Sequence, residues 1–172
     1  MLLRGINVGK AKQVPMADLR TLLEGLGYED VRTHLRSGNA VLTGAEADPV
    51  EQEKRIEAAI DKRFGMDVRC VVLSADDLRA IVDGRAFPDA ADNGSRMVAH
   101  VLGARPDPEV IAEHDAVALD PENARLGERV IYQWCPNGSL EAPPVGTFAE
   151  KKWKVTVTAR NWNTMTKLAE LI

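Results

Sequence analysis

Apolar residues recur along this chain in two rhythms, one alternating and one helical, and the rhythms change places several times. Met1–Val8 alternates and predicts a strand, with Gly5 as its weak point. After the loop Gly9–Gln13, Pro15 suits the first position of a helix whose apolar stripe is Leu19, Leu22, Leu23 and Leu26, closed by Gly25 and Gly27. Val31–Arg36 and Asn39–Thr43 predict a hairpin around Ser37-Gly38. Asp48-Pro49 opens a second helix that runs to about Phe64, with Gly65 as its stop. Val68–Leu73 predicts a strand, and Ser74 the cap of a short helix over Ala75–Val82.

Residues 84–96 are rich in Gly, Asp, Asn and Ala and predict a linker, after which the order of elements starts again. Strands are expected at Met97–Leu102, Ala116–Leu119, Val130–Cys135 and Lys154–Thr158. Helices are expected at Pro108–Glu113 behind the Asp107 cap, at Phe148–Lys152, and at Asn161–Ile172. Both halves then read β-α-β-β-α-β-α. The expected fold class is α+β, a tandem duplication of ferredoxin-like (βαββαβ plus extra helix) units. Its domains would be residues 1–83 and 97–172, joined by the linker 84–96.

Composition adds limits. Aromatics are 5% of the 172 residues, so the core must rest on Val, Leu, Ile and Ala. Nothing resembles a secretion signal or a membrane span, which predicts a cytoplasmic protein with no membrane partner. Cys70 and Cys135 lie in apolar alternating runs and are expected to be unpaired thiols. The net charge of −4 is uneven: residues 1–43 carry +2, residues 44–149 carry −9 and residues 150–172 carry +3. An acidic chain argues against nonspecific nucleic-acid binding. His34, His100 and His114 share no ligand spacing with each other or with the cysteines, so no metal and no cofactor is expected.

Three segments carry a family resemblance: Leu2-Leu3-Arg4-Gly5-Ile6-Asn7-Val8-Gly9; Val14-Pro15-Met16-Ala17-Asp18-Leu19 with the later Ser37-Gly38-Asn39; and Thr158-Ala159-Arg160-Asn161-Trp162-Asn163-Thr164. In order and spacing the chain resembles the bacterial family of uncharacterised proteins called domain of unknown function 1697. The resemblance implies a fold containing ferredoxin-like units and no established activity. This chain has Lys10 where many members have a second glycine.

The two net-positive ends both contain a strand-to-helix junction, where backbone donors are available to oxyanions. Arg4, Asn7 and Lys12 from the first junction, and Arg160, Asn161 and Lys167 from the last, are the expected ligand-binding residues. The expected function is binding of a small molecule bearing a phosphate or carboxylate. Two alternatives stay open: an enzyme acting on a phosphorylated metabolite or nucleotide, and an RNA-binding module. Trp153 and Trp162 flank a basic segment as base-stacking residues would, although Trp162 also fits the apolar face of its helix. Catalytic residues and oligomeric state are not legible.

Overall fold

A computed structural model describes residues 1–9, 12–44, 47–87 and 93–172. The chain forms two compact units, Met1–Ser74 with Leu171–Ile172, and Ala75–Glu170. The division differs from the expected boundaries: the helix after Ser74 belongs to the second unit rather than to residues 1–83, and Leu171–Ile172 belong to the first unit rather than to residues 97–172.

The first unit contains β1 (Leu2–Leu3), α1 (Met16–Gly25), β2 (Glu29–His34), β3 (Asn39–Thr43), α2 (Pro49–Phe64) and β4 (Cys70–Val71). Its sheet has the order β2-β3-β1-β4, with every neighbouring pair antiparallel. Leu2 stands opposite Asn39 on one side and Val71 on the other. The core is made by Leu3, Ala40 and Cys70 from the sheet, Leu19 and Leu23 from α1, and Ile56 and Ile60 from α2. Local chemistry sets the ends of α2. Asp48 Oδ1 accepts from the N–H groups of Val50 and Glu51 at 2.8 and 3.2 Å, and Pro49 follows where no N–H is needed. Gly65 ends the helix with a left-handed φ of 66°.

The first strand is shorter than Met1–Val8. Gly5 and Asn7 adopt positive φ and turn the chain out of the sheet after Leu3. The hairpin forms around Ser37-Gly38, but its first strand ends at His34 rather than Arg36 because Leu35 already turns left-handed (φ 58°), and Gly38 is needed in the turn twice over. Its φ is 77°, and a Cβ would lie 2.7 Å from the Leu3 Cβ.

The second unit contains α3 (Ala75–Asp83), β5 (Met97–Leu102), α4 (Pro108–Glu113), β6 (Ala124–Leu126), β7 (Val130–Trp134), α5 (Val145–Trp153), β8 (Val157–Asn161) and α6 (Trp162–Ala169). Its sheet repeats the first one's pattern, β6-β7-β5-β8, again antiparallel throughout. The fold class is therefore α+β with two four-stranded antiparallel sheets. On one face, Leu102, Ala124, Ile131 and Val157 pack with Val145, Ala149 and Trp153 of α5. On the other, Tyr132 donates its hydroxyl to the Ile81 carbonyl of α3 at 2.8 Å and meets Trp162 of α6 edge-on.

The strand expected over Val68–Leu73 is confined to Cys70–Val71, and two expected strands of the second unit moved. Val117–Leu119 is a turn of 3₁₀ helix, not part of a strand over Ala116–Leu119. Asp115 Oδ1 accepts from the Val117 N–H at 2.9 Å and closes the backbone there, which leaves β6 to start at Ala124. Lys154 takes a left-handed φ of 57° at the end of α5, so β8 begins at Val157 instead of Lys154. Of the expected linker, residues 88–92 lie outside the described residues. No helix among the described residues is long and apolar enough to cross a membrane.

Candidate functional site

Arg4, Asn7 and Lys12 belong to the first unit, and Arg160, Asn161 and Lys167 to the second. Lys10 lies outside the described residues. In the first unit the loop between β1 and α1 is built around Asn7. Its side-chain amide donates to the Val14 carbonyl at 2.9 Å and to the Arg36 carbonyl at 2.6 Å, and its Oδ1 accepts from the Val14 N–H at 2.8 Å. Its own N–H donates to the Lys12 carbonyl at 3.0 Å. Both amide donors of Asn7 are thus committed to the protein. Asn7 shapes the loop.

Four residues of this loop have left-handed backbone: Gly5 at 64°, Asn7 at 54°, Gly9 at 61° and Lys12 at 47°. Ile6 and Val8, between the first three, keep negative φ. Alternation between the two hands of backbone is the feature by which successive N–H groups can be turned toward one side. The N–H groups of Ile6, Val8 and Gly9 have no hydrogen-bond partner among the described residues. Cationic residues flank this loop in the chain and on the adjoining hairpin. Arg4 is exposed, and its N–H donates to the Arg69 carbonyl at 2.8 Å. The Lys12 ammonium donates to the Asp67 carbonyl, which leaves two of its three donors for other acceptors. Arg36 is exposed on the hairpin turn whose carbonyl Asn7 holds. Sequence reasoning missed Arg36 because the contact that brings it here spans 29 residues.

The second unit treats its three residues differently. Asn161 caps α6: its Oδ1 accepts from the Thr164 N–H at 3.0 Å and the Thr164 hydroxyl at 2.8 Å. The Trp162 N–H donates to the Gly94 carbonyl at 2.9 Å. The helix start expected to receive an anion therefore spends these donors on the protein itself. Lys167 lies in the last turn of α6 and pairs with Glu170 at 2.8 Å. Arg160 is 8% exposed. Its Nη1 donates to Thr158 Oγ1 at 3.0 Å and to the Ala159 carbonyl at 2.7 Å, and burial pulls its pKa down to about 10. These are the contacts of a structural guanidinium. Trp153 and Trp162 are both 5% exposed, so neither presents a face to a base.

A second arrangement was not legible in the sequence. His100 on β5, Gln133 on β7 and Asp120 form a buried polar chain. His100 Nε2 lies 3.0 Å from Gln133 Oε1, and Gln133 Nε2 donates to Asp120 Oδ2 at 2.8 Å and to the Pro143 carbonyl at 3.0 Å. Two acceptors fix the orientation of the Gln133 amide, so its oxygen faces His100 and the histidine carries its proton on Nε2. Burial holds the His100 pKa below its ordinary value, and the hydrogen bond to Gln133 opposes that shift. Asn123 Nδ2 donates to Asp120 Oδ1 at 2.9 Å. Beside this chain Cys135 is 1% exposed, and burial, then the Asp120 charge, raises its pKa. Such a thiol is protonated and inert near neutrality. No group of three or more potential metal ligands occurs among the described residues.

Two antiparallel sheets of matching order, with a basic loop after the first strand, define an α+β protein of duplicated plan. The chain belongs to the family of proteins of unknown function DUF1697, whose model matches residues 1–132. The match includes the Leu2–Gly9 and Val14–Leu19 motifs and stops short of Thr158–Thr164. Among solved structures, the chain resembles a conserved bacterial protein from Streptococcus pneumoniae at 22% identity, with a TM-score of 0.73 over 99% of this chain and 95% of that one. No curated protein matches it.

Proposed function

We propose that this protein binds a small molecule through a phosphate or carboxylate group, and that the β1–α1 loop of the first unit receives the oxyanion. One observation carries the reading. Ile6, Val8 and Gly9 present unpartnered backbone N–H groups in alternating backbone geometry, held by the three side-chain hydrogen bonds of Asn7. Arg4, Lys12 and Arg36 supply the charge. Non-glycine residues in left-handed conformation cost about 1 kcal/mol or more, and such strain collects at binding sites. Lys12 carries it, and Asn7, whose short polar side chain suits that region, carries less. Arg160, Asn161 and Lys167 have no part in this version of the site.

Both units read as ferredoxin-like, supported by the βαββαβ order and the antiparallel 2-3-1-4 strand sequence in each. A cytoplasmic location fits Cys70 and Cys135, which are both unpaired thiols. The test is a thermal-shift panel of nucleotides, sugar phosphates and small carboxylates. A ligand of this class should raise the melting temperature of the wild type and not that of Arg4→Ala/Lys12→Ala. If no oxyanion shifts the wild type, the reading is wrong.

A further inference from the structure

We propose that the second unit holds a separate pocket for a small primary ammonium group, recognised by the Asp120 carboxylate. The cavity measures about 150 Å³ and is lined by Asp120, Asn123, Cys135, Asn137, Glu141 and Pro143, among others. That volume is well below a drug-sized site of some 300 Å³ or more. It suits a compact head group.

The electrostatics choose the sign of the ligand. Asp120 is 8% exposed, and its side-chain partners are two neutral amides, Asn123 and Gln133. Among the described residues it enters no ion pair. Buried carboxylates are normally matched by a cation, because transfer out of water penalises the lone charge. His100, two hydrogen bonds away, does not supply one near neutral pH, since burial favours its uncharged ring. Among the described residues, the only other ionisable side chains on the wall are Glu141 and Cys135, and neither is a cation. Arg96 is spoken for by the carbonyl of Pro136, a lining residue, and is not itself part of the lining. A carboxylate offers about four acceptor positions, and the amides occupy two. The remaining positions can accept from an –NH₃⁺ group. The chain through Gln133 to His100 keeps Asp120 fixed in orientation before a ligand arrives, which lowers the ordering cost of binding. Glu141 at the wall adds a second negative charge that attracts the same ligand.

The probe is ethylammonium chloride, compared with sodium chloride at equal ionic strength and with the neutral n-propanol of similar size. Amide shifts of the intact chain are followed by ¹H–¹⁵N NMR. Ethylammonium should give saturable shifts at Asn123, Gln133, Cys135 and Gly138, and n-propanol should not. Asp120→Asn should weaken the response about tenfold or more, the scale for losing a buried charged contact, and Glu141→Gln by less. Equal responses to ethylammonium and n-propanol, or no saturable response, would overturn the proposal without recourse to any variant. So would an Asp120→Asn protein that folds and still binds ethylammonium as the wild type does. Oxyanion binding at the first unit is read at different amides, so the two proposals fail separately.

Discussion

Replacing Asn7 by alanine should cost the first unit about 4 kcal/mol. The figure comes from the loop's own contacts. Alanine removes three hydrogen bonds, to the Val14 carbonyl, the Val14 N–H and the Arg36 carbonyl. Each is worth about 1 kcal/mol net. Val14 is 1% exposed, so its polar groups find no water in exchange. Alanine must also hold the φ of 54° that Asn7 adopts, which adds about 1 kcal/mol. Asn7→Gly loses the same hydrogen bonds and avoids the backbone penalty, so it should be milder by about 1 kcal/mol. Trp134, Trp153 and Trp162 all lie in the second unit, so tryptophan fluorescence does not report on this loop. The assay is urea unfolding followed by far-UV circular dichroism, with native-state hydrogen exchange at the Val14 amide as the local readout. Alanine and glycine variants both within about 1 kcal/mol of wild type would refute the claim that Asn7 holds the loop. Equal losses for the two would refute the left-handed backbone cost.

Gly146→Ala should destabilise the second unit by about 1–3 kcal/mol, because the new Cβ would lie 2.4 Å from His100 Nδ1. Calorimetry of the double variant with His100→Ala should show much of that loss recovered. His100 has a folded-state pKa below the ordinary 6.5, so the unfolded chain binds more protons once the pH falls under that value. Stability should therefore decline from pH 7.5 to pH 5.5, and His100→Gln should flatten the decline in urea titrations at the two pH values. Burial raises the pKa of both cysteines, most strongly for Cys70, so a thiol reagent should find almost no reactive group in the native protein. In urea without reductant it should find two.

The helices were readable from their caps. Asp48-Pro49 with Gly65, and Asp107-Pro108, placed their helices to the residue, because each signal is local chemistry between neighbours. The repeat in element order was readable too, and both sheets follow it. Strand limits were less legible. Alternation through Met1–Val8 gives no sign that Asn7 will turn left-handed, since the contacts that hold it, Val14 and Arg36, lie 7 and 29 residues away. The basic ends of the chain were visible as charge. What each cation does was not. Arg160 reads the same as Arg4 in sequence, yet one is buried on Thr158 and the other exposed. The His100–Gln133–Asp120 chain joins residues 33 and 13 apart with no motif between them; pairing of β5 with β7 brings the first two together, and Asp120 reaches Gln133 from outside the strands.

The most direct test of the oxyanion loop is a phosphate titration of the ¹⁵N-labelled protein, with chloride at matched ionic strength as the control. The amides of Ile6, Val8 and Gly9 should shift saturably and together. Arg4→Ala/Lys12→Ala should weaken that response, while Arg160→Ala, wherever it folds, should leave it unchanged. Shifts confined to the start of α6, or none at the three loop amides, would contradict the account.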